Sequence, residues 1–208
     1  MTDGSSLAAA FAALRTDGAA GLPAVLHFSG GEHELQADAL AGFVFDARTR
    51  ASEVRLIGVD NATLRATGAT PLLNVSSSSP RVLLSGLTLR SQVIVSGGEL
   101  HLENCTFAGS SADLGGALAL SGGTLTVSAT AFVSCFADRG GAVHVTGGTA
   151  SFEVCTFESC TASMAQGGGA MWVEGGEVTL KDRTQMRGNT ANGASESIWV
   201  AGGELWYV

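Results

Sequence analysis

Two glutamates, three tryptophans and four cysteines are the residues of this chain whose types and spacing could do chemistry. Glu177 follows the pair Gly175-Gly176, and Glu204 follows Gly202-Gly203, 27 residues on. If the glycine pairs occupy equivalent places in a repeat, the two acids stand about 5 Å apart on one surface. That is the separation at which carboxylates serve a retaining glycosidase, and a calcium ion could also use it. Outward Glu is equally the ordinary occupant of a solvated strand. Trp172 and Trp199 are also 27 residues apart. If Met171/Val173 and Ile198/Val200 face inward, alternation turns both outward on adjacent rungs, in the column of Ile94, Ala119 and His144, and with Trp206 they form a set of exposed indoles able to stack on a sugar ring or to anchor a protein contact.

The cysteines fall into two columns. Cys105 and Cys155 stand two residues before Phe107 and Phe157, whereas Cys135 and Cys160 stand three after Phe132 and Phe157. The first two are two repeats apart, too far to bridge. Cys135 and Cys160 are one repeat apart, where a disulfide is geometrically conceivable, although a ladder of buried thiols is the reading favoured by parallel Cβ directions. No Cys/His spacing suggests zinc, and His27, His33, His101 and His144 share no column, so neither a metal nor a cofactor is expected. A lyase using calcium and a basic proton acceptor is poorly served by one lysine, Lys181, and rows without an Asp cluster beside an Arg. Asn61-Ala-Thr, Asn74-Val-Ser and Asn104-Cys-Thr are N-glycosylation sequons.

These residues need elements to hold them. Gly pairs at 97/98, 122/123, 147/148, 175/176 and 202/203 recur at offsets of 25, 25, 28 and 27 residues. Around each pair the apolar residues alternate: Val93/Val95 then Leu100/Leu102, Leu118/Leu120 then Leu125/Val127, Val143/Val145 then Phe152. A period of two means strands, and strands this short bury a face only by stacking on their neighbours. Like repeated on like in one direction gives parallel coils rather than a meander. The expected fold is therefore all-β, a right-handed parallel β-helix, its hand following the general preference of parallel crossovers. It forms a single domain over 1–208, with a short N-terminal capping helix within 1–20, less regular coils over 21–92 and regular coils of 25–28 residues over 93–208. The stretch LAAAFAAL at 7–14 is read as that helix, with Ser5 or Ser6 as N-cap and Gly18 beyond its end. Its acidic flank MTDGSS does not resemble a secretory leader. The last row stops in mid-coil at Tyr207-Val208, so the expected cover for that edge is a continuing solenoid or a partner.

The rows carry a resemblance. F107-AGSSADL-GGA, F132-VSCFADR-GGA and F157-ESCTASMAQG-GGA, each followed by an apolar strand, are similar to the GGA[ILV] and FxxN repeats of chlamydial polymorphic outer membrane proteins. The early part, through EVRLIGVDNATLRA, resembles the opening coils of pectate-lyase-like β-helix proteins. Where the pattern has Asn three residues after Phe, this chain has Ser110, Cys135 and Cys160, and only Asn189, after Met186, keeps it. Ser195-Glu196-Ser197 stands in place of the last GGA. The resemblance implies a solenoid at a cell surface or outside the cell.

Charge narrows the partners. The net charge of −8 is spread without a block, which disfavours nucleic acid and anionic membrane, and no apolar run approaches the roughly 20 residues of a membrane span. Taken together, the residues predict a non-enzymatic structural or adhesive module of a surface or assembly protein. It would bind a protein partner through its lateral faces or last edge, with Trp172, Trp199 and Trp206 as contacts. The alternative is a carbohydrate-binding or polysaccharide-degrading β-helix using Glu177 and Glu204. A minor alternative is ice binding by the outward rows Thr124/Thr126 and Thr149/Ser151, which Glu99/His101 and Glu177/Thr179 interrupt on either side.

Overall fold

The computed structural model describes residues 4–16, 20–35, 43–67 and 71–208. One coil shows how the rest is built. Glu99–Glu103 lies on the first face, Asn104 turns the corner, Thr106–Ala108 forms the second face, and Leu118–Leu120 forms the third. The pair Gly122-Gly123 then returns the chain to Thr124–Ser128, directly beside Glu99–Glu103. The pairing is parallel and its register is the sequence offset itself: Leu100 opposes Leu125, Phe107 opposes Phe132, and Leu118 opposes Val143. Among the described residues, repetition produces parallel sheets of eight, seven and seven strands, with a short mixed sheet of four beside them. The chain is a β-solenoid, a parallel β-helix whose first face extends upstream through Arg81–Ser85 and Glu53–Gly58 to Pro23–Phe28.

Alternation sends every second residue inward. On the first face Val54, Val82, Leu100, Leu125, Ala150 and Val178 form one buried column. Along the second face Phe107, Phe132 and Phe157 stack with their ring planes 4° apart and centroids at 5.2 and 4.5 Å. Phe152 from the first face meets Phe132 and Phe157 edge-on, at 6.2 and 5.7 Å. Each fully buried Phe removes apolar surface worth about 1.5–3 kcal/mol from water, and a lone coil has no neighbour against which to do so.

The corners explain the glycine pairs. The second member of each pair has positive φ, from 70° at Gly98 to 83° at Gly148. It also lies against the backbone of the preceding rung, so that a Cβ on Gly148 would stand 2.6 Å from the Gly123 carbonyl oxygen. Both the dihedral and the space exclude a side chain.

The helix spans Gly4–Ala13 and packs on the first coils. Phe11 and Leu14 join the core, with the Phe11 ring 5.8 Å from that of Phe45, while the Arg50 amide donates to the Leu14 carbonyl. It therefore covers the start of the solenoid as expected, with one correction: Ser5 and Ser6 lie inside its first turn rather than at an N-cap, because the helical backbone already includes Gly4. Gly18, expected beyond its end, falls outside the described residues.

The short sheet comes from a flap between the second and third faces. Phe136–Ala137, Thr161–Ala162 and Thr190–Ala191 pair in parallel, and Ala194–Ser195 folds back antiparallel on Thr190–Ala191. From the first two of these flaps the chain returns to the third face through the GGA marker, and from the last through Ser195-Glu196-Ser197.

Candidate functional site

On the third face, Val143/Val145 and Met171/Val173 fill the core. Alternation turns the residues between them outward in one column: Ile94, Ala119, His144, Trp172 and Trp199. That column is the one the spacing predicts. Its exposure is not. Trp172 keeps only 8% of its accessible surface and His144 only 4%.

The flap is the cause. After Phe136–Ala137 the chain turns at Asp138-Arg139 and comes back through Gly140 so close to the third face that a Cβ there would lie 2.1 Å from the Val143 carbonyl oxygen and 3.1 Å from the Trp172 amide nitrogen. Gly115 runs equally close to His144 one coil earlier. This second layer lays Arg139 over Trp172, guanidinium carbon 4.8 Å from the ring centroid, a cation–π contact. Trp199 stacks on Trp172 at 6.3 Å and 28°, and remains half-buried. The expectation of two exposed indoles is thus corrected: Trp172 is a covered floor and Trp199 its partly open neighbour.

No family model, curated protein or solved structure matches this chain. What the site can do therefore rests on its own geometry.

Two buried nitrogens in it lack hydrogen-bond partners, His144 Nε2 and Trp172 Nε1. The Glu174 carboxylate stands 3.4 Å from His144 Nε2, at ion-pair range, with its side chain half exposed. Burial lowers the His144 pKa from the ordinary value, and the Arg139 charge acts in the same direction, while Glu174 opposes both. Sequence reasoning places Glu174 with Glu177 at the Gly175-Gly176 corner without linking it to His144, and it missed Arg139. No sequence signal marks the flap that carries Arg139, since the segments from Phe107 and from Phe132 to their GGA have the same length.

The acids behave differently. Glu177 and Glu204 are neighbours in register on the first face, as expected, and both are exposed. Trp206 lies on the same strand, also exposed, and its Nε1 donates to Glu204 Oε2 at 3.2 Å. The hydroxyl rows Thr124/Thr126 and Thr149/Ser151 also align on this face. One coil earlier Glu99 accepts from Arg81 at 2.6 Å and contacts His101 Nε2 at 2.6 Å. These partners hold its pKa down, from 4.5 to about 2. Among the described residues no group of three or more His, Cys, Asp or Glu is placed to hold a metal ion, and no helix is long and apolar enough to cross a membrane.

The cysteines are free thiols and all buried. Cys135 and Cys160 sit in one corner column with Ser110 and Asn189, and each member sends its side chain to a carbonyl of the preceding rung: Ser110 to Leu89, Cys135 to Phe107, Cys160 to Phe132, Asn189 to Phe157. At the opposite corner Cys105 and Cys155 share a column with Thr130 and Thr184, whose hydroxyls bond Ser128 and Phe152 carbonyls. Burial pushes the Cys105 and Cys155 thiols up to about 11, and contact with Cys160 together with burial pushes Cys135 up as well. Of the sequons, Asn61 and Asn104 occupy exposed turns with φ of 59° and 50°, a conformation Asn adopts more readily than most residues, and Asn74 accepts from Ser96 Oγ at 3.1 Å.

Proposed function

We propose that this chain is a structural or adhesive solenoid module of a surface or assembly protein that engages a protein partner through its lateral faces. The observation that carries the reading is the first face, eight strands in parallel register whose outward columns include Thr126, Ser151 and Thr179 and end in the exposed indole of Trp206. At about 4.8 Å per strand that face extends over roughly 34 Å, a length suited to a protein footprint of ordinary size. Exposed Val200 and Tyr207 add apolar contact on the last rung.

A second reading has its own observation. Glu177, Glu204 and Trp206 lie together, which combines acceptors for sugar hydroxyls with an indole face. General acid catalysis would further require a carboxyl withdrawn from water, and both acids stand in solvent.

The test is a paired one on the folded chain: a glycan array, and retention of partner proteins on immobilised protein. The reading expects retained protein that is lost when Thr126 and Ser151 are both replaced by Arg, with no glycan signal. A glycan signal abolished by Trp206→Ala or Glu204→Gln, without protein retention, would overturn it in favour of carbohydrate recognition.

A further inference from the structure

His144 and Trp172 present an unusual arrangement, two side-chain nitrogens without partners on adjacent rungs, beneath a flap. Neither nitrogen is reached by solvent. A buried polar atom left unpaired is costly, so it persists only where another state or another constraint offsets it. A group able to satisfy His144 Nε2 from within the site is Glu174, whose carboxylate waits half in solvent at 3.4 Å.

We propose that His144 and Glu174 form a proton-operated latch that controls whether Arg139 stays over Trp172. With His144 neutral, the imidazole tolerates the neighbouring guanidinium, Arg139 rests on the indole and the flap is closed. When His144 takes a proton, its Nε2–H donates to Glu174, and the new positive charge repels Arg139 across the same small space. The guanidinium lifts and the Trp172 indole is uncovered beside Trp199.

The charges around His144 are few. Arg139 comes from the flap and Glu174 from the end of the next strand, and these are the two that act on it. The paired strands contribute Ala119 and Trp172, and the Gly115 turn contributes backbone. Two further acids near the flaps are engaged elsewhere: Asp138 accepts from Ser163 Oγ at 2.5 Å and Glu196 from the Gly168 amide at 2.9 Å. The sign follows from the charge that moves. Lifting Arg139 removes a charge that lowers the His144 pKa, so protonation favours the open state and falling pH shifts the flap toward it.

The experiment uses the full chain with Trp206→Phe to remove the exposed indole, and follows tryptophan emission and the His144 imidazole NMR shift together from pH 8 to pH 4. The latch predicts that both report one transition, with a midpoint below 6.5. Glu174→Gln should lower that midpoint and Arg139→Gln raise it, each by about half a pH unit or more. Both substitutions lie at or near the surface and spare the core. His144→Gln should abolish the emission change. A histidine transition without an emission change, or a midpoint moved by neither charge variant, would overturn the proposal.

Discussion

At the residue scale the cysteines are corner donors rather than reagents. Each stands where another coil has Ser, Thr or Asn, and each directs its sulfur to a backbone carbonyl. Cys135→Ser and Cys160→Ser are therefore expected to cost no more than about 1 kcal/mol in denaturant midpoints, because the Ser110 hydroxyl already performs the same task. Iodoacetamide at neutral pH should leave all four thiols unmodified in the folded chain and alkylate all four after unfolding. Rapid alkylation of the native protein would contradict their burial. Glu99 carries the residue-scale pH dependence. Its folded pKa is depressed to about 2, so its contribution is present above the ordinary 4.5 and is lost as pH falls from there toward 2. Acid titration of stability should show a shallower fall over that window in Glu99→Gln than in the natural chain.

At the element scale the solenoid depends on two stacks, one of rings and one of glycines. Phe132 lies between Phe107 and Phe157 and touches Phe152 edge-on. Phe132→Ala is expected to cost about 3–5 kcal/mol, since flanking rings fixed to their own strands cannot close the cavity. Gly148→Ala should cost at least about 1–2 kcal/mol for its left-handed dihedral, with more from the Gly123 carbonyl it would strike. Thermal unfolding of both variants measures these losses. These stacks were legible in the sequence because period-two alternation and a fixed offset translate directly into facing residues. The flap was not legible. Nothing in FADRGGA or TASMAQGGGA alternates, so neither the short sheet nor its return over the third face announces itself. The error about Trp172 follows from that alone: outward of the coil was read correctly, and outward was then equated with exposed. Ser5 and Ser6 failed for another reason: both residue types fit an N-cap, but the helix already includes Gly4.

At the scale of the whole molecule, parallel register turns spacing along the chain into columns across a face, and every functional reading here is about a column. The hydroxyl patch and the acid pair with Trp206 share the first face, whereas the covered His144–Trp172 site lies on the third, so the covered site can be altered without the other two. Replacing both Thr126 and Ser151 by Arg should leave the thermal midpoint within a few degrees of the natural chain while removing partner retention, because outward positions of an open sheet contribute little to the core. The most direct measurement of the stack itself is the pattern of NMR contacts among assigned phenylalanine rings. The account predicts cross-peaks from Phe132 to both Phe107 and Phe157, and none between Phe107 and Phe157, which are separated by a full rung. A direct Phe107–Phe157 contact, or a Phe132 ring that meets only one of the two, would contradict it.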